Sequence, residues 1–188
     1  MPAVISFLRG VNVGGHRLIK MDDLRKLCES CGLSQVQTYV QSGNVVFHAP
    51  AKDVARVSAR MEKAIEQACG FHADVFVRTA EEMRDVIRRN PFAAQAETDP
   101  NRVLVTFLAA VPGAAARARA LAVPCVPEEL RIDGREVYIY YPNGVGRAKL
   151  SLTVLERALG IPGTGRNWNS IKRLSAMAEA LHGTAAKI

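Results

Sequence analysis

Gln35-Val36-Gln37-Thr38-Tyr39-Val40-Gln41-Ser42-Gly43-Asn44-Val45-Val46-Phe47-His48 is the stretch on which the fold turns. Residues 35–40 and 44–48 are rich in β-branched and aromatic side chains and read as two strands. Gln41-Ser42-Gly43-Asn44 between them suits a hairpin turn. Moving outward toward the N-terminus, Met21, Leu24, Leu27, Cys28 and Cys31 recur at helical spacing. Gly32 offers the positive φ that ends such a helix. Beyond that helix, residues 3–9 are a nearly continuous apolar run, the pattern of a strand buried on both faces. Moving outward the other way, Val54, Val57, Met61, Ala64, Ile65 and Ala68 form a second helical stripe that opens near Asp53 and closes at Gly70. Residues 73–78 then read as a fourth strand. Strand, helix, strand, strand, helix, strand is the split βαβ order of a ferredoxin-like sandwich.

The rest of the chain partly repeats this order. Thr79 and Glu82 have the spacing of a capping box, and Met83, Val86 and Ile87 carry a helix to Asn90-Pro91. Residues 93–101 are polar and read as a loop. A strand over 102–108, an alanine-rich helix after Pro112 and a hairpin through Asp133-Gly134 follow. Two helices come next, striped by Leu152, Leu155 and Leu159 and by Ile171, Leu174, Met177 and Leu181. Residues 183–188 read as a frayed end. The expected class is α/β of the α+β type: two ferredoxin-like split βαβ halves, with predominantly antiparallel sheets and helices packed on them. The expected organisation is a ferredoxin-like half over 1–78, a helix and connecting loop over 79–101, and a second α/β half with two C-terminal helices over 102–188.

With 188 residues, 48% of them hydrophobic, the chain can bury a real core. It lacks an apolar stretch near the roughly 18 residues of a membrane span, and its start lacks the charged-then-apolar pattern of a leader. A cytoplasmic protein is expected. Cys28 and Cys31 fall on the apolar face of a helix. With Cys69 and Cys125 forming no second pair, packing is the simpler reading than a metal or redox site. No metal or cofactor is expected. The net charge of +7 favours acidic partners. From Gly144 onward there are seven Lys and Arg against two Glu, so +5 of the +7 lies there.

Three glycine-, asparagine- and arginine-rich clusters border apolar runs, where polar groups at element ends can meet a ligand. In the first, Arg9, Gly10, Asn12, Gly14 and Gly15 could bring a guanidinium and bare backbone N–H groups to one anion. It lacks the lysine and hydroxyl of a P-loop, and a plain turn is the competing reading. In the second, Gln41, Ser42 and Asn44 are polar at a hairpin tip, and they are also ordinary turn residues. In the third, Arg147 and Lys149 precede one helix, and Arg166, Asn167 and Asn169 precede another. Cations at helix N-termini are locally unfavourable unless an anion intervenes. Trp168, the only tryptophan, reads as a core anchor, with stacking on a base or ring as the alternative. His16 is the sole histidine beside a cluster; His48, His72 and His182 show no partner in the sequence, and no assembled nucleophile or base is legible.

These segments carry a resemblance. Residues 7–15, 38–47, 141–150 and 164–169 resemble, in order, the DUF1697 family, bacterial proteins named for having no assigned function. The resemblance implies an α/β fold with ferredoxin-like halves and supplies no catalytic residue. The chain departs from the family pattern at Ala148, where a hydroxyl residue is common, and at Gly165, where threonine is usual.

The leading expectation is a non-catalytic binder of a phosphate-bearing or other anionic ligand, a nucleotide or RNA. The candidate ligand residues are Arg9, Asn12, Gly14, Gly15, Gln41, Ser42, Asn44, Arg147, Lys149, Arg166, Asn167, Trp168 and Asn169, gathered in one basic cleft. A small-molecule enzyme that uses the same arginines with His16, and a protein-interaction module, are the alternatives. No membrane partner is expected, and the sequence sets no oligomeric state.

Overall fold

The computed structural model describes residues 1–185, with side chains described through Leu181. Eight strands and seven helices follow one another as β1 (Ala3–Leu8), α1 (Met21–Ser30), β2 (Ser34–Tyr39), β3 (Asn44–His48), α2 (Val54–Cys69), β4 (Val75–Thr79), α3 (Ala80–Arg88), α4 (Ala93–Thr98), β5 (Val103–Leu108), α5 (Ala114–Leu121), β6 (Glu129–Asp133), β7 (Glu136–Tyr140), α6 (Leu152–Leu159), β8 (Gly163–Asn167) and α7 (Trp168–Ala185). The chain divides into two compact units. One holds Met1–Asp85 together with the chain from Arg173, and the other holds Val86–Lys172.

In the first unit the strands are ordered β2-β3-β1-β4, and every pairing is antiparallel. That is the ferredoxin-like order the hairpin reading predicts. All six residues of β1 are buried, as a strand covered on both faces requires. Val4, Leu8, Val45 and Phe47 on one face pack with Leu24 and Cys28 of α1 and with Val57, Met61 and Ile65 of α2. Cys28 of α1 and Cys31 just after it are thus core residues. Burial pushes the Cys28 thiol up to about 12, with Cys31 and Glu29 adding to the shift. The ends of α2 follow the sequence signals, with Gly70 in the left-handed conformation at φ 75°. The capping box forms as expected at α3. Thr79 N donates to Glu82 Oε2 at 2.8 Å and Glu82 N to Thr79 Oγ1 at 3.1 Å.

The second unit repeats the plan: β6-β7-β5-β8, all antiparallel. Leu108, Leu130, Val137 and Ile139 form its core with Leu155 and Leu159 of α6. Here the sequence reading needs two corrections. Residues 93–98, expected as loop, are the helix α4, whose single buried residue is Ala96. Residues 163–167, to which the sequence pattern assigns no element between the last two helices, are the edge strand β8. Its glycines are packing requirements. A Cβ on Gly163 would stand 2.8 Å from Thr106 Cγ2, and one on Gly165 would stand 2.9 Å from both Leu104 and Leu152. The threonine usual in the family at 165 therefore has no room here. At the C-terminus, the expected frayed end is helical through Ala185, and residues 186–188 lie outside the described residues.

The two sheets agree in register around their central strands β1 and β5, while the β2–β3 pairing has a register shift between Ser34 and Gln37 that β6–β7 lacks. Ser6 pairs with Val45 and Val77, Thr106 with Val137 and Gly165; Ile5 pairs with Arg78, Val105 with Arg166. Even the strand exits match. Leu8 N donates to Gly43 O and Leu108 N to Arg135 O, each at 2.8 Å. One step on, Arg9 N donates to Asp74 O at 2.9 Å and Ala109 N to Pro162 O at 3.1 Å.

Candidate functional site

Because β1, β3 and β4 are antiparallel neighbours, the C-terminal end of β1, the β2–β3 turn and the residues before β4 share one end of the first sheet. The first two sequence clusters therefore meet there. Asn12, at φ 55°, is the joint between them. Its Nδ2 donates to Ile19 O at 2.9 Å and to Gln41 O at 2.7 Å, while Ile19 N donates to its Oδ1 at 2.8 Å. Val11 and Ile19, both buried, anchor the two feet of the loop in the core. Between them Val13 and His16 form an isolated antiparallel bridge, and Gly14 and Gly15, both at positive φ, make its exposed apex. Gly43 closes the hairpin against this loop at φ 73°. Asn44 is fully buried, and its Nδ2 donates to Tyr39 O at 3.0 Å and Ser42 Oγ at 2.9 Å. Asn12, Ser42 and Asn44 thus build the scaffold. Gln41 presents its side chain outward.

The charged groups of this end are Arg9, Arg17, Lys20, His72 and Asp74. Arg9 Nη1 donates to Asp74 Oδ2 at 3.1 Å, and His72 Nε2 stands 3.1 Å from Asp74 Oδ1, so one carboxylate joins the two. All three side chains are partly exposed. Arg17, at φ 50°, folds its guanidinium over Gly10, whose Cβ, if present, would be 3.5 Å from Arg17 Nη1. Sequence reasoning named Arg9 and missed Arg17 and Asp74. It also gave His72 no partner, which the Asp74 contact corrects. The signal for Asp74 was the antiparallel pairing of the first and fourth strands, which sets residues 9 and 74 side by side.

The second unit is the internal control for this end. Its β5–α5 connection is five residues long (109–113), against twelve (9–20) between β1 and α1. Ala109 and Pro162 hold the same backbone bond that Arg9 and Asp74 make. The same strand pairing thus forms around β5 with a shorter connection that carries no charge.

The two segments of the third cluster lie at the opposite strand ends of the second sheet. Tyr141 N donates to Arg102 O at 2.8 Å, Arg102 Nη1 donates to Pro142 O, and Asn169 Nδ2 donates to Asn101 Oδ1 at 3.2 Å. Arg147, on a short 3-10 turn, and Lys149 are exposed. Arg166 is placed otherwise than expected. It lies on β8 and is buried, with Nη1 donating to Thr164 Oγ1 and Gly165 O, each at 2.8 Å. Burial lowers its pKa to about 10. Asn167 accepts from Ser170 N at 2.9 Å, the cap of α7. Trp168 is 6% exposed, which makes it the core anchor and sets aside base stacking. Beneath the loop, buried Glu128 accepts from Lys149 N at 3.4 Å.

Among the described residues no group of three or more His, Cys, Asp or Glu is placed to hold a metal ion, and no helix is long and apolar enough to cross a membrane.

Two antiparallel βαββαβ units with matching registers around β1 and β5 define an α/β protein of two ferredoxin-like halves. The chain belongs to DUF1697, a family of proteins of unknown function, whose model matches residues 1–138. That span covers the first two clusters and stops before the third. A conserved bacterial protein from Streptococcus pneumoniae is similar in structure, with a TM-score of 0.71 over 94% of this chain and 98% of that one. The two share 20% sequence identity, so the likeness is one of fold. No curated protein matches the sequence.

Proposed function

We propose that the first unit binds a phosphate-bearing anion, in its small form a nucleotide, at the end of the sheet formed by the 9–20 loop and the 40–43 turn. The observation that carries this reading is the internal comparison. At this end the β1–α1 connection has twelve residues against five in the second unit, and it includes Arg9, Arg17 and Lys20 and no acid, with Asp74 before β4 pairing Arg9. Arginine forks and the amides of a glycine apex are the groups that recognise phosphate oxygens. Asn12 and Gly43 supply the rigidity that keeps ordering losses on binding small.

Calorimetric titration of the chain with pyrophosphate, ADP and oligouridylate at low salt tests it. Binding that weakens with added salt and falls with Arg17→Gln and Arg9→Gln is expected. Absence of binding to all three, or binding indifferent to both substitutions, refutes the reading. Preference for oligouridylate over ADP would make RNA the ligand class.

The His72–Asp74 contact favours a second reading, an enzyme acting on an anionic substrate. Asp74 holds one ring nitrogen of His72 and leaves the other for proton transfer. Phosphoester turnover lost in His72→Asn, while ADP still binds, is its signature. Turnover that survives His72→Asn removes it.

A further inference from the structure

On its helical side the first unit carries a groove of about 780 Å³ between α1 and α2, lined by Leu18, Leu27, Ala64, Ala68 and Cys69, with Lys20 and Lys26 at its edge. It adjoins a second hollow of about 560 Å³ that shares Ser30, Ala64 and Gln67 and adds Lys63. Such a volume lies in the range of small-molecule sites, about 300–1,000 Å³. The duplicated unit shows that this layer can close. There Arg119 of α5 donates through Nε to Ala158 O of α6 at 3.2 Å, and Ala120 joins Leu155 and Leu159 in the core.

Two features of the groove specify its occupant. Leu18 at the lip is 67% exposed, although it sits beside the buried Ile19. Among the described residues, Lys20, Lys26 and Lys63 engage in no ion pair, and Asp23 is the one acid in either lining. Apolar walls with unmatched ammonium groups at the rim suit an apolar body that ends in a negative charge.

We infer that this groove binds a small anionic amphiphile, its hydrocarbon part on Leu18, Leu27, Ala64 and Ala68 and its carboxylate-type head against Lys20 and Lys26. The thiol of Cys69 is part of the lining and packs partly buried against the core, where burial raises its pKa and Asp23 adds to the effect. This site shares Leu18, Ile19 and Lys20 of the 9–20 loop with the anion site proposed above but uses neither Arg9 nor Arg17, so either can fail without the other.

The probe is decanoate below its aggregation concentration, titrated into the full chain and followed by amide chemical shifts, with 1-decanol and decylamine as neutral and cationic comparisons. Shifts confined to 18–30 and 60–69, slower alkylation of Cys69 with Cys125 unaffected, and loss of both effects in Ala68→Trp are expected. Lys20→Glu with Lys26→Glu should weaken decanoate about tenfold and leave decanol unchanged. All three positions are exposed, so circular dichroism should report an intact fold. No binding of decanoate, undiminished binding in Ala68→Trp, or equal affinity for decanol or decylamine overturns the inference.

Discussion

Gly43→Ala is the substitution that most directly tests how the candidate anion site is held. The residue has φ 73°, and a Cβ there would stand 2.6 Å from Val11 Cγ2 and 2.7 Å from Leu8 Cβ. A side chain in the left-handed region costs roughly 1–2 kcal/mol. Overpacking into a filled core adds about 1–3 kcal/mol, since neither neighbour is the far end of a flexible chain. The sum, about 2–5 kcal/mol, is a large share of the stability of an ordinary domain. Gly15→Ala is the matched control. Its φ is 77°, yet nothing lies within 4 Å of the added methyl, so only the conformational term of about 1–2 kcal/mol applies. Urea unfolding of both variants, read by circular dichroism, gives the comparison as a shift in midpoint at constant slope. Equal losses from the two substitutions would refute the packing account of the turn, whatever their absolute size.

Asn12→Ala removes a side chain that makes three hydrogen bonds, and it should destabilise by about 1–3 kcal/mol while loosening the loop, seen as faster amide exchange over 10–19. Thr79→Ala deletes the capping hydroxyl of α3 and should cost about 1 kcal/mol in urea unfolding. Burial, with the Glu128 carboxylate as the lesser cause, raises the Tyr141 hydroxyl to about 12 from 10.0, so its stabilisation is complete below pH 10 and fades between pH 10 and 12. Tyr141→Phe should therefore flatten the alkaline fall in stability across that window, checked by urea midpoints against pH. Cys28, shifted to about 12, should resist iodoacetamide at pH 8 in the folded chain and react only after denaturation, as peptide mass mapping reads out.

Regular periodicity made most of the fold readable. Continuous apolar sequence gave β1, alternation and turn residues gave the β2–β3 hairpin, and stripes closed by Gly70 or Gly160 gave α2 and α6. The exceptions share a cause. β8 reads Gly163-Thr164-Gly165-Arg166-Asn167, without the branched side chains that signal a strand, because Thr106, Leu104 and Leu152 occupy the space those side chains would fill. α4 buries a single side chain, so it leaves no stripe. Among the candidate ligand residues, a residue's chemistry did not reveal its job. Asn12 and Asn44 hydrogen-bond within the chain, and Arg166 is folded onto its own strand, because turns need amide side chains as much as ligands do. Asp74 and Arg17 escaped notice because their placement depends on strand pairing and on a positive φ.

Duplication explains why the two ends of this architecture carry different chemistry. Both units close β1 and β5 with the same backbone bonds, so the fold leaves the connection after each strand free to vary. In the first unit that freedom is used at the β1–α1 connection, which carries Arg9 and Arg17. In the second it is used at the opposite strand ends, in the connection from β7 to α6 that carries Arg147 and Lys149. The connection in the first unit is the longer, carries the cations and keeps its feet in the core through Val11 and Ile19, while the pairings of β1 and β5 with their neighbours keep the same register. The anion site we propose therefore rests on a connection that differs between the two units in length and charge, and in which Arg9 is already paired with Asp74.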